Sequence, residues 1–217
     1  MSARRAPTQA GAHPYVSRGG AKLERALDSF AIDATGMRAL DAGASNGGFT
    51  DCLLRRGAAR VIAVDVAYGA FAWALRNDAR VRVLERTNVR TLDLPAMGEE
   101  PVDLVVADLS FISLAVVRDA LLAAARPDAS VVLLVKPQFE AARARVERGG
   151  VVRDPDVWRD TMRSVADAYR ASGCIVAGAC ASPLVGPAGN REFFLHLRRD
   201  GNDVGDPVFD AAIEGAP

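Results

Sequence analysis

LDAGASNGGF, residues 40–49, reads as the end of an apolar strand, a glycine turn and the start of a helix. In a doubly wound sheet, a glycine turn after the first strand is where a nucleotide-like cofactor binds. The dinucleotide fingerprint spaces its glycines as GxGxxG. Here they fall at 43, 47 and 48, and Ser45 stands where the second glycine would admit a pyrophosphate. This spacing disfavours a nicotinamide or flavin. It suits a cofactor without phosphates, with Asp41 able to face a cationic group. Gly43, Ala44, Ser45, Asn46, Gly47, Gly48 and Phe49 are the candidate contacts, and a plain tight turn is the competing explanation.

Strands and helices alternate on both sides of this turn. Upstream, residues 17–30 place Leu23, Ala26, Leu27 and Phe30 at helical spacing. Strands are expected at 37–42, 60–66, 80–84, 102–109, 130–135, 174–181 and 193–197. Helices are expected at 49–56, 70–77, 114–125 and 155–171, the last with Pro155 in its first turn. Near-continuous apolar strands separated by helices indicate a parallel sheet covered on both faces. Only SPLVGPAGN separates the last two strands, too short for a crossover helix, so they pair antiparallel. The expectation is an α/β, Rossmann-like fold of seven strands, mostly parallel with the last reversed. Residues 1–14 read as a disordered lead-in, 15–200 as one domain, and 201–217 as a flexible tail.

Composition narrows the function. The chain has 217 residues, half of them apolar, and 27 basic residues balance 27 acidic ones. That excludes wholesale disorder and a uniformly basic nucleic-acid coat, while leaving room for local basic patches. Three cysteines without a CxxC pair argue against a disulfide framework or zinc site, and for a reducing, cytoplasmic setting. No apolar stretch is long enough to span a bilayer, so a membrane role is disfavoured. Only two of the 27 basic residues are lysines, Lys22 and Lys136. In a chain that uses arginine so freely, they are candidates for work that needs a proton to leave, which arginine cannot do.

Both lysines fall in a wider constellation. Asp65 ends the second strand, about 20 residues past the glycine turn, where an acid binds ribose hydroxyls. Asn88 and Val89 follow the third strand and are placed to hold an adenine. Helix capping by Asp65 and a turn asparagine at 88 are the plainer alternatives. Asp108 ends the fourth strand and Lys136 the fifth. Glu192 begins the reversed strand, so it lies on the same edge of the sheet. Two ammonium groups flanked by two carboxylates suit deprotonation of a weak acid such as an alcohol. One lysine acts as general base and the other stabilises the developing alkoxide. A sulfonium methyl donor mainly requires oxygen, methyl and sulfur in line.

SRGGAKLERAL, DAGASNGGFTDCLL, VIAVDVAYG, LERTNVR, VVADLSFISL, LVKPQFE, GVVRD and SPLVGPAGNREFFLHL together resemble the TlyA family. These are FtsJ-like ribose 2'-O-methyltransferases of ribosomal RNA, also labelled haemolysin A. The resemblance covers residues 15–198. It implies the S-adenosylmethionine-dependent methyltransferase fold, S-adenosylmethionine as donor, and a cytidine 2'-hydroxyl of rRNA as acceptor. The family's K-D-K-E tetrad maps onto Lys22, Asp108, Lys136 and Glu192, and Asp108 also joins the cofactor residues. Asn46 stands where the family often has Thr. Family members usually begin with a small RNA-binding domain, whereas 14 residues precede Tyr15 here. Without such a domain, RNA contact is expected from Arg18, Arg143, Arg145 and Arg191, with Arg4, Arg5, Arg25, Arg148 and Arg153 in support. Trp73 and Trp158 read as packing residues. The alternatives are a non-catalytic RNA-binding or ribosome-assembly factor and, less favoured, a haemolysin.

Overall fold

The computed structural model describes residues 14–217. Arg4, Arg5 and all but the last residue of the expected lead-in lie outside them. Seven strands form one sheet: β1 (Arg38–Ala42), β2 (Arg60–Val64), β3 (Val81–Leu84), β4 (Val102–Ala107), β5 (Ala125–Val135), β6 (Ile175–Ala181) and β7 (Phe193–Arg198). Their spatial order is β3-β2-β1-β4-β5-β7-β6. The pairs from β3 through β5 are parallel, and β7 is antiparallel to both neighbours. The order reverses between β1 and β4, so the crevice beyond their carboxyl ends is the place for a ligand.

Alternation along each strand builds two cores. Leu40, Leu133, Leu195 and Phe193 face one side of the sheet, while Ala39, Val132, Leu134 and Phe194 face the other. The first side is covered by α4 (Arg118–Ala124), α6 (Pro155–Arg170) and α7 (Pro207–Glu214). The second is covered by α1 (Arg18–Ser29), α2 (Gly48–Arg55) and the one-turn α3 (Trp73–Arg76). Between β5 and α6 lies the single turn α5 (Pro137–Glu140).

Glycines set how α1 meets α2. A Cβ at Gly48 would stand 2.2 Å from Ser17 Oγ, and one at Gly20 would stand 2.2 Å from the Tyr15 ring. Their absence lets the N-terminus of α1 rest on that of α2, which carries Lys22 over the strand ends.

Three expectations need correction. The tail is not wholly irregular: residues 207–214 form α7, with Phe209 fully buried. Asp203, Asp206 and Asp210 pair with Arg170, Arg163 and Arg159 of α6. Short length and distant partners hide such a helix from periodicity alone. The helix expected at 70–77 is a single turn, in which Leu75, with Phe71 just ahead of it, packs against the core while Trp73 is left 78% exposed rather than packed. Trp158 does pack, against Phe193. The helix expected from 114 starts at Arg118, after a loop that follows β4.

Candidate active site

Beyond the carboxyl ends of β1, β2, β3 and β4 lies a cavity of about 350 Å³. Its lining includes Gly43, Ser45, Asp65, Val66, Asn88, Val89 and Asp108, with Leu109 to Ile112 on the far wall. A second cavity of about 280 Å³ opens beside it. There Ser17, Arg18, Gly19 and Lys22 of the α1 region face Ala44, Gly48, Phe49, Lys136, Pro187 and Glu192. Gly43, Ser45, Asp108 and Ser110 belong to both, so the cavities share a wall.

Gly43 makes that shared wall feasible. Its φ is +87°, and a Cβ there would stand 2.3 Å from the Asp108 carbonyl oxygen. Only glycine tolerates both the left-handed backbone and the close approach of the segment after β4. Ser45, also left-handed at φ +49°, donates its backbone N–H to Asp65 Oδ2 at 2.7 Å. Asp65 Oδ1 accepts from Ala67 N at 2.7 Å, so this carboxylate is fixed against the glycine turn. Asn88 Oδ1 accepts from Arg90 N and caps a 3-10 turn, which holds Val89 in the core under the cavity.

The two lysines and their acids meet as two ion pairs in the second cavity. Lys22 Nζ donates to Glu192 Oε2 at 2.5 Å; both residues are buried, at 7% and 3% exposure. Lys136 Nζ lies 2.5 Å from Asp108 Oδ1 and donates to Ser110 Oγ at 2.9 Å. Each ammonium is thus matched by one carboxylate instead of facing the other across open space. Lys136 stands at the wall between the cavities and Lys22 farther along the cleft.

Asp41, expected as a cofactor contact, lines neither cavity. It lies two residues after Ala39 on the strand, so alternation turns it toward α2, where Thr50 Oγ1 donates to Oδ2 at 2.6 Å. Its Oδ1 is buried without a hydrogen-bond partner. Complete burial, with added repulsion from Asp108 and Asp65, pushes its carboxyl up to about 7 against the Thr50 hydrogen bond. Asn46 and Gly47 also line neither cavity. Asn46 accepts from Ser45 Oγ and, through its carbonyl, from Ala72 N. Gly47 packs its backbone on Leu75 and Phe71. Ala44, Gly48 and Phe49 line the second cavity rather than the first.

Of the arginines expected at RNA, Arg18 lines the cleft, and Arg143, Arg145 and Arg191 do not. Arg145 pairs with Asp160 at 2.5 Å, whereas Arg143 and Arg148 are exposed and have no carboxylate partner among the described residues. Arg191 stacks 5.6 Å over the Trp158 ring. Sequence reading missed Ser17, Ser110, Phe111 and Pro187. The rule that strand ends carry ligands reaches Ser110 and Phe111, which directly follow Asp108. Nothing local reveals that Phe111 is 90% exposed with φ +65° and rests on Phe139, ring centroids 4.9 Å apart.

Residues 15–199 match the pattern of the FtsJ-like methyltransferase family. The chain is 57% identical over 184 residues to the 16S/23S rRNA (cytidine-2'-O)-methyltransferase TlyA of Mycobacterium tuberculosis, covering 85% of this chain and 68% of that one. A solved Lactococcus lactis protein classed with the hemolysins superposes with a TM-score of 0.87 at 40% identity, covering 92% of this chain and 97% of that one. An S-adenosylmethionine-dependent methyltransferase from Mesorhizobium loti shares the fold, with TM-score 0.59 at 19% identity, covering 81% of this chain and 96% of that one. Among the described residues, no helix is long and apolar enough to cross a membrane.

Proposed function

The chain belongs to the FtsJ-like methyltransferase family, and from that premise we propose that it methylates a ribose 2'-hydroxyl of ribosomal RNA, that of a cytidine, using S-adenosylmethionine. The observation that carries this reading is the shared wall. A cleft holding both lysines, each paired with a carboxylate, adjoins a cavity bearing Asp65 and Asn88.

The cofactor's chemistry fits the residues present. Asp65 lines the first cavity with no cationic partner among the described residues, and Asp108 borders it. A carboxylate in that position favours a ligand carrying positive charge. S-adenosylmethionine brings a sulfonium and an ammonium, and its methyl group is the electrophile. Asp65, Val66, Val89 and Ile112 line the first cavity; in this reading Asp65 takes the ribose hydroxyls and the three apolar side chains take the base.

In this reading Lys136, acting as a free amine, takes the proton of the 2'-hydroxyl. Asp108 and Ser110 hold its Nζ at the shared wall. Lys22, held by Glu192, stabilises the oxygen as it gains negative charge. Arg18 at the cleft mouth is available to a phosphate. The test is Lys136→Ala. Methyl transfer to ribosomal subunits should fall ~10²–10⁴-fold, the usual worth of a positioned acid or base. Cofactor affinity measured by calorimetry should stay near wild type. Retained turnover would remove Lys136 from the chemistry. An rRNA map showing no 2'-O-methyl that depends on the wild-type protein would remove the substrate.

A further inference from the structure

Between β6 and β7, SPLVGPAGNRE wraps Glu192 in a tight collar. Ser182 N donates to the Glu192 carbonyl at 2.9 Å and closes its base. Gly186 N donates to the Asn190 carbonyl at 2.8 Å, and Gly189 N to the Gly186 carbonyl at 2.9 Å. The collar touches the carboxylate itself, since a Cβ at Gly186 would stand 2.8 Å from Glu192 Oε1.

One side chain fastens this collar to a segment 40 residues away. Asn190, 2% exposed, accepts from Val152 N through Oδ1 at 2.9 Å and donates through Nδ2 to the Gly150 carbonyl at 2.8 Å. The Val152 carbonyl accepts from Trp158 Nε1 at 2.9 Å, which pins the same segment to the first turns of α6. That segment continues the loop bearing Arg143 and Arg148, the exposed arginines without acid partners among the described residues. A buried amide spending its hydrogen bonds on two backbone groups of one distant loop fixes that loop's position.

We propose that Asn190 is a positioning residue for the reaction. It locks residues 150–152 to the collar that aims Glu192 at Lys22, so phosphate capture by Arg143 and Arg148 is transmitted to the Lys22–Glu192 pair. The inference rests on the RNA substrate proposed above and adds the route by which substrate engagement reaches the chemistry.

A double-mutant cycle on the full chain, with ribosomal subunits as substrate, tests it. Asn190→Ala should lower kcat at least tenfold and leave S-adenosylmethionine affinity within twofold, because Asn190 lines neither cavity. Arg148→Ala should raise the KM for RNA and lower kcat. In the Asn190→Ala background its effect on kcat should vanish, while its effect on KM remains. A merely structural asparagine would leave the two kcat effects independent, and independence overturns the proposal. So does wild-type kcat in a folded Asn190→Ala protein. If Asn190→Ala shows no cooperative melting, Asn190→Ser takes its place: the side chain stays polar but is too short to hold both Val152 N and the Gly150 carbonyl. A reduced kcat with unchanged KM supports the collar's role, and wild-type kcat refutes it. Absence of methyl transfer by the wild-type protein itself sinks the substrate reading, and this inference with it.

Discussion

Asp41 gives a prediction that needs no RNA. Its folded carboxyl holds its proton to a pH of about 7, whereas the ordinary value is 3.8. Between those values the folded state binds more protons than the unfolded one, so stability falls as pH rises through that window. The shift spans about three pH units, and at about 1.4 kcal/mol per unit the penalty at pH 8 is roughly 4 kcal/mol. In a chain of this size, 1 kcal/mol moves Tm by about 2–4 °C, so the effect is on the order of 10 °C. Asp41→Asn keeps an oxygen for Thr50 and removes the charge. Melting of both proteins at pH 5 and pH 8, followed by calorimetry, is the assay. About two of those three units lie between pH 5 and pH 8, about 2.7 kcal/mol, so the wild type should lose about 5–10 °C more than the variant between the two pH values. At pH 8 the variant should be the more stable protein. Equal pH dependence of Tm in the two proteins would refute the placement of an ionising carboxyl in the core.

At the opposite edge of the sheet, burial pushes the Glu99 carboxyl up, but hydrogen bonds from Arg60, Arg82 and Arg38 outweigh it and hold the group down to about 2. Its contribution is present above about pH 4.5 and should be lost as pH falls toward 2. Glu99→Ala removes the shared acceptor of three partly exposed guanidinium groups and should cost about 1–3 kcal/mol in urea unfolding at pH 7; no measurable loss would show that water screens the cluster. Phe209→Ala should cost about 3–5 kcal/mol, the range for emptying a buried phenylalanine site. A wild-type Tm for that variant would mean that α7 does not seal the face formed by α6 and β6.

What residues 40–49 and the strand pattern carried was local. Alternating apolar runs, glycines where the backbone turns left-handed, and Pro155 opening a helix are properties of neighbours in the chain, so the seven strands and the reversed β7 were legible. The ligand edge was legible too, because parallel strands end together, and Asp65, Asp108, Lys136 and Glu192 each sit at such an end or at the start of the reversed strand. Packing set the rest. Asp41 belongs to the same motif as Gly43, yet alternation on β1 turns it under α2. Trp73 is exposed and Phe209 buried, since neither residue's own spacing shows which neighbour covers it. Sequence counting isolated two lysines and two acids; only the folded chain, joining Lys22 to Glu192 across 170 residues, determined which acid holds which lysine. Local chemistry fixes the backbone's menu of turns and strands, whereas charge pairing depends on distances that the chain acquires only when its sheet and helices close on one another.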